Sequence, residues 1–260
     1  MQDLLVMKRP IVENKWRVLP LIETDAYKAM ALDEAISEFV AKGGPPTIRF
    51  WRWNPSAVSI GYFQCILDEV DADLCKEMKI DIVRRRTGGG AVYHDYNGEI
   101  TYSVIAPLGM FPKNIIESYK AICGWIISGL QKLGIQSEFK PINDILVDGK
   151  KISGNAQTRR NGVLLQHGTI LCDLDIRTMF SLLKVSKEKI SDKFIQAVEE
   201  RVTSLKKHSI TDMDKVYTAL VNGFTQNKEW SFGELTDEEI KKAEELARTK
   251  YAAREWNFQR

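Results

Sequence analysis

The chain lacks the marks of several common protein classes. None of its four cysteines, Cys65, Cys75, Cys123 and Cys172, falls in a Cys-x-x-Cys pair, so spacing offers neither a structural zinc site nor a thioredoxin-like motif. A chain of 260 residues buries a substantial core without covalent staples, and its thiols are expected to be reduced. No apolar run approaches the ~20 residues needed to cross a bilayer. The N-terminal MQDLLVMKRPIVENKW has neither a long apolar stretch nor a small-residue cleavage site, so it is not a signal peptide. A cytoplasmic protein with no membrane partner is expected. Charge of one sign is also lacking: 37 basic against 35 acidic residues leave a net charge of +2, which gives no reason to expect a nucleic-acid partner. Repeats, low-complexity stretches and long linkers are missing. The remaining composition, 44% hydrophobic and 28% charged, is that of an ordinary globular chain, and a single domain over 1–260 is expected.

What is present reads as hairpins flanked by helices. Residues 1 to about 15 have no clear period and form a strand or a loose tail. Thr24 and Asp25 are candidate N-caps for a helix over 26–42, with Ala29, Leu32, Ile36, Phe39 and Val40 on one face. TIRFWRW (47–53) and AVSIGYF (57–63) read as a strand pair around Asn54-Pro55-Ser56. A short helix near 71–78 precedes a strand over 80–86, interrupted by Gly88-Gly89-Gly90. Asn97-Gly98 then signals a hairpin into EITYSVI (99–105). A helix over 114–133 ends at Gly134. Further turns fall at Asp148-Gly149 and Asn161-Gly162. The last third carries helical patterning near 176–184, 187–200 and 212–224, and a capping box at Thr236/Glu239 opens a helix to about 250. Glu238/Lys242 and Glu244/Arg248 have ion-pair spacing on that helix. The expected fold class is α+β, with a mixed, largely antiparallel β-sheet flanked by helices.

Three segments can carry chemistry. In RRRTGGGAVYHD (84–95) three glycines follow a strand. Their amides can hold an anion, with Arg84, Arg85 and Arg86 adding positive charge; a hairpin loop with solvated arginines explains them equally well. No Gly-Lys-Ser/Thr follows, and the third glycine of the dinucleotide fingerprint is missing. In DGKKISGNAQTRR (148–160) alternation turns one of Lys150 and Lys151 toward the sheet interior or a cleft, unless both are solvent-exposed edge lysines. In QHGTI (166–170), His167 has apolar strand neighbours and is either structural or catalytic. His94 precedes Asp95, which is not by itself metal-ligand spacing, and no Ser-His-Asp arrangement follows from spacing alone.

Taken in order, these segments resemble the lipoate-protein ligase family, within the biotin/lipoate ligase and octanoyltransferase fold group. RRRTGGGAVYHD, IND with GKKISGNAQ, QHGTIL, IGYFQ and the terminal REWN carry the resemblance, which spans about residues 20–258. It implies a ligase that activates lipoate with ATP and Mg²⁺ to an acyl-adenylate and transfers the acyl group to a lysine of an acceptor protein. The acceptors it implies are the E2 lipoyl domains of 2-oxoacid dehydrogenases and the glycine-cleavage H protein. By position, Arg85, Gly90, Ala91, Val92, Tyr93 and Lys151 match ATP-binding residues. Lys151, Arg85, Gly90, His94 and His167 match lipoate-binding ones, and Lys151 is the catalytic candidate. The metal ligands are unknown, with Asp144 a candidate. Full-length members carry a small C-terminal domain, whereas this chain stops just after Glu255-Trp256-Asn257, so a separate small accessory protein is expected. Related octanoyltransferases use a cysteine nucleophile and no ATP. One type places that cysteine around residues 139–150, where this chain has none, and another beyond the position of Cys172. A cysteine-dependent octanoyl or lipoyl transferase is thus the alternative, and a non-catalytic lipoyl-binding protein a third.

Overall fold

Asp25 opens the first helix, α1 (Ala26–Ala41), by accepting the Lys28 N–H at 2.9 Å, which satisfies one of the donors a helix start leaves free. The computed structural model describes residues 15–184 and 192–260. Most of the expected N-terminal segment and the start of the helix expected over 187–200 lie outside those residues. Helices α2 (Ile66–Glu69), α3 (Ala72–Glu77), α4 (Ile115–Lys132), α5 (Ile176–Leu182), α6 (Asp192–Glu199), α7 (Met213–Thr225), α8 (Asp237–Leu246) and α9 (Arg254–Asn257) follow. Asn114 caps α4 through the Glu117 N–H at 3.1 Å. Gly134 ends α4 in the left-handed region, φ +79°, which glycine adopts without penalty. The capping box at Thr236 and Glu239 is present. On α8 the expected ion pairs are replaced: Glu238 pairs with Lys42 at 3.0 Å and Lys242 with Glu245 at 3.4 Å.

The main sheet comprises β1 (Trp16–Val18), β2 (Ile22–Thr24), β3 (Thr47–Trp53), β7 (Glu99–Pro107), β8 (Glu138–Lys140), β9 (Asp144–Val147), β10 (Lys150–Arg160), β11 (Val163–Leu171) and β12 (Trp230–Phe232). Its order is β12-β1-β3-β7-β11-β10-β9-β8, with β2 also on β3. Pairing is antiparallel from β3 through to β8 and parallel around β1 and β2. Asp148-Gly149 and Asn161-Gly162 make the two central hairpins. All four residues have positive φ, between 50° and 75°, as two-residue turns matching strand twist require.

A second sheet joins β4 (Ala57–Ile60), β5 (Asp81–Arg84) and β6 (Val92–His94) in the order β5-β4-β6. Two expectations are corrected here. β3 and β4 are not a pair, because the chain changes sheet between them. Alternation reports burial, not the identity of the neighbouring strand. Asn97-Gly98 makes no hairpin either, since the strands on either side of it, β6 and β7, lie in different sheets, and neither residue has a positive φ. The Gly98 carbonyl accepts the N–H groups of Cys172 and Asp173 instead, and the chain passes from the small sheet to the large one.

One face of the main sheet buries Phe50, Tyr102, Leu164 and Ile170 with residues of α4 and α7. On the other face Ile105, Val163 and Leu165 pack with Ile36 and Val40 of α1. Among the described residues, no helix is long and apolar enough to cross a membrane.

Candidate active site

Between the main sheet, the small sheet and α5 lies a cavity of about 360 Å³, a size suited to a small ligand. Arg85, Gly90, Ala91, Val92, Tyr93, His94, Lys151 and His167, all expected at the site, line it together. Trp51, Trp53, Leu171 and Met179 add apolar wall. One end is buried, at Trp53 (1% exposed), His94 (4%) and His167 (6%). Gly89 and Gly90 are exposed, and the Lys151 side chain is 40% exposed. The cavity is therefore an apolar slot with a closed polar end and an open end carrying a cation.

The glycine loop is shaped by arginine, and this changes what the arginines do. Arg85 is buried and donates from Nη2 to the carbonyls of Gly88 and Gly90, both at 2.8 Å. Gly89, between them, has φ +97°, which a side chain would strain. Burial pulls the Arg85 pKa down to about 10, so it still carries its charge at neutral pH. Arg84 is fully buried and donates to the carbonyls of Gly61, Tyr62 and Gln64. Arg86 faces Glu34 at 3.7 Å. The three guanidinium groups thus hold protein carbonyls and a carboxylate, where the sequence suggested charge held free for an anion.

Arg85 also feeds two matching hydrogen-bond relays at the closed end. Its Nε donates to Thr87 Oγ1 at 3.1 Å, and that hydroxyl meets His167 Nε2 at 2.7 Å. His167 Nδ1 lies 2.9 Å from Asp33 Oδ2. Arg85 Nη1 donates to Ser59 Oγ at 3.1 Å, and that hydroxyl meets His94 Nε2 at 2.8 Å. His94 Nδ1 lies 2.6 Å from Glu99 Oε1. With the carboxylates ionised, each histidine donates from Nδ1 and accepts the hydroxyl proton at Nε2. Burial, against the pull of Asp33, lowers the His167 pKa. Burial would raise that of Asp33, but the Arg49 guanidinium at 2.6 Å and the bond from His167 outweigh it and hold it low. His94 stacks on Trp53 with ring centroids 3.9 Å apart, and Trp53 Nε1 donates to Thr101, which bonds Glu99. Ser59, Thr87, Asp33 and Glu99 were missed in the sequence. Asp33 offered a faint signal: it sits between Leu32 and Ile36 on the buried side of α1, where a carboxylate needs a partner.

Lys151 is the group presented to the open end. A register shift between Lys151 and Ser153 interrupts the β9–β10 ladder, and such bulges re-aim a side chain. A Cβ on Gly154 would lie 2.8 Å from Lys151 Cε, so the glycine lets the lysine lie across its own strand. Lys151 Nζ is 2.7 Å from Asp144 Oδ1. Lys150 reaches the Glu199 carbonyl at 3.4 Å, away from the slot. Asp144, the metal candidate, is thus a lysine partner. Among the described residues no group of three or more His, Cys, Asp or Glu could hold a metal ion.

None of the four cysteines lines the slot. Burial pushes the thiol of Cys75 up to about 11 and those of Cys123 and Cys172 to about 12, which suppresses the reactive thiolate. Cys65 is half-buried at the start of α2.

The family model for the lipoyl protein ligase A/B catalytic domain matches residues 25–225. The chain belongs to this family. An octanoyltransferase LipM from Brevibacillus brevis is 35% identical, over 95% of this chain and 100% of that protein. A bipartite lipoate protein ligase from Thermoplasma acidophilum, solved in a study of that ligase and its E2 lipoyl domain, superposes with a TM-score of 0.85. It is 34% identical, over 94% of this chain and 96% of that one. A lipoate-protein ligase A bound with ATP superposes with a TM-score of 0.81 at 32% identity, over 94% and 98% of the two chains. The α+β fold with its mixed, largely antiparallel sheet is that of the lipoate-protein ligase catalytic domains. One expectation is overturned. Curated relatives carry the name octanoyltransferase, so the ATP-dependent lipoate ligase reading is withdrawn, and ATP, Mg²⁺ and the acyl-adenylate with it. Arg85, the one guanidinium assigned to the nucleotide, holds the Gly88 and Gly90 carbonyls.

Proposed function

We propose that the chain transfers an octanoyl group from a thioester-activated carrier to a lysine of a lipoyl-domain acceptor protein. The observation that carries this reading is the placement of Lys151, an ammonium at the open end of an apolar slot. The transferase name of the relatives supports the reaction type. The neighbouring ligase solved in a study that includes its E2 lipoyl domain supports the acceptor class.

The acyl chain enters the slot and loses its water, which stabilises it by about 0.8 kcal/mol per buried methylene. Its carbonyl then lies at the open end. The acceptor amine attacks the carbonyl carbon, a C–N bond forms, and negative charge gathers on the carbonyl oxygen. Lys151 Nζ donates to that oxygen as its charge grows, which lowers the barrier more than it tightens ground-state binding. Collapse breaks the C–S bond, and the thiolate leaves with the proton released by the amine. Asp144 holds the ammonium in place at 2.7 Å. We read the transfer as a single displacement in a ternary complex, in place of the cysteine-dependent route expected of the alternative, because no cysteine is among the slot's lining residues and burial raises the pKa of Cys75, Cys123 and Cys172.

The test combines the chain, an octanoyl-acyl carrier protein and an unlipoylated E2 lipoyl domain without nucleotide. The expected result is an octanoyl mass increment on the acceptor lysine. Acylation that appears only with a free acid and ATP overturns the proposal, as does donor binding without transfer.

A further inference from the structure

The terminal Arg254-Glu255-Trp256-Asn257 segment has no part in the chemistry above, yet it is wired to the wall of the slot. Strand β5 pairs with β4 along one side only. At its last residue, Arg84, the C-terminal turn completes the bonding. The Arg84 N–H donates to Asn257 Oδ1 at 2.7 Å, and the Arg84 carbonyl accepts the Trp256 indole N–H at 2.8 Å. Side chains here do what a further strand would do. The Arg84 guanidinium returns the contact, donating to the carbonyls of Trp256 at 3.1 Å and Asn257 at 2.7 Å. The Asn257 amide is itself fixed by donating to the carbonyls of Tyr251 at 2.7 Å and Ala253 at 3.1 Å.

From Arg84 the wiring continues to the 61–64 turn and, through it, to the glycine loop that lines the slot. Its Nη1 gathers the carbonyls of Gly61, Tyr62 and Gln64 at 2.6–3.1 Å. That turn lies against the glycine loop so closely that a Cβ on Gly61 would sit 2.0 Å from the Gly89 oxygen. The Tyr62 N–H donates to Thr87 O at 2.8 Å, and the Arg85 N–H to Ile60 O at 3.0 Å. Arg85, the next residue, then shapes Gly88–Gly90 as described. The Trp256 ring packs on Tyr62, with centroids 5.9 Å apart.

We infer that Trp256 and Asn257 are positioning residues: acting through Arg84, they hold the 61–64 turn and the glycine loop in register and so set the shape of the acyl slot. This concerns the same site as the proposed transfer, but its structural arm can be read without any activity.

Trp256→Phe removes the indole N–H and keeps a ring against Tyr62. Arg254→Ala serves as the control, because Arg254 is exposed and its guanidinium lies over the Phe258 ring, 4.2 Å from the centroid. Native-state amide exchange is followed at Gly61, Tyr62 and Arg85, with Val104 and Gln166 of the main sheet as internal reference. Losing one buried hydrogen bond is expected to speed exchange at the three reporters about tenfold and to leave the reference pair and the control variant unchanged. With octanoyl-carrier as donor, KM should rise about tenfold with kcat within about threefold. Asn257→Asp, which keeps the acceptor for the Arg84 N–H, should exchange more slowly at the reporters than Asn257→Leu. Unchanged exchange at the reporters, or equal acceleration in the main sheet, overturns the inference. If the wild-type chain transfers no octanoyl group, the exchange result still decides this inference, and the proposed function alone fails.

Discussion

Replacing Lys151 by alanine separates chemistry from folding. The side chain is 40% exposed and its partner Asp144 32% exposed, so the pair is well solvated and worth about 0–1 kcal/mol to stability. At 2–4 °C per kcal/mol for a chain of this size, Tm should fall by no more than about 4 °C. The catalytic loss is expected to be far larger. Removing one donor from a developing oxyanion typically costs about 10²–10³ in rate, or roughly 2.7–4 kcal/mol. The assay follows octanoylation of a lipoyl domain by intact mass under single-turnover conditions, with Tm measured on the same preparation. A folded Lys151→Ala variant that keeps more than about a tenth of the wild-type rate refutes the role given to the ammonium. A variant that loses both rate and more than about 10 °C of Tm refutes the view that the lysine is structurally dispensable.

Chain length should matter in proportion to buried methylenes. A hexanoyl donor forfeits two, about 1.6 kcal/mol at 0.8 each, so its KM should exceed that of octanoyl roughly fifteenfold; equal values would show that the slot does not hold the chain. Cys65→Ala and Cys172→Ala should each retain transfer within about twofold, and loss of activity in either folded variant would restore a cysteine nucleophile. His167 has a lowered folded-state pKa, so below about 6.5 the unfolded chain binds a proton that the folded chain refuses. Its contribution to stability is present above about 6.5 and declines as pH falls toward the folded value. Tm should therefore drop between pH 7 and 5.5, by less in His167→Gln, and a Tm that rises over that interval refutes the neutral, Asp33-bonded histidine.

Much of the architecture was legible because its signals are local. Asp148-Gly149 and Asn161-Gly162 specify their hairpins by the φ values they tolerate, and Asp25 and Thr236 start helices with their own side chains. What was illegible depended on distant partners. Nothing in AVSI reveals that β4 lies between β5 and β6 instead of beside β3. The site followed the same division. Motif residues of the glycine loop, Lys151 and the two histidines do converge on one slot. Their supports come from afar, with His167 bonded to Asp33 across 134 positions of sequence and Arg84 to Asn257 across 173. That Arg84–Arg86 turn out neither free for an anion nor simply solvated has the same root. A run of arginines advertises charge, and only the fold shows that protein carbonyls absorb it.

The most direct test of the account follows the acyl group itself. An octanoyl-carrier labelled in the acyl chain is mixed with the protein and an unlipoylated lipoyl domain, without nucleotide, and the reaction is quenched on the millisecond scale. The account predicts that label passes from donor to the acceptor lysine with none covalently attached to the enzyme at any time. A labelled enzyme species that forms and decays ahead of product, or no label on the acceptor until ATP is added, would contradict it.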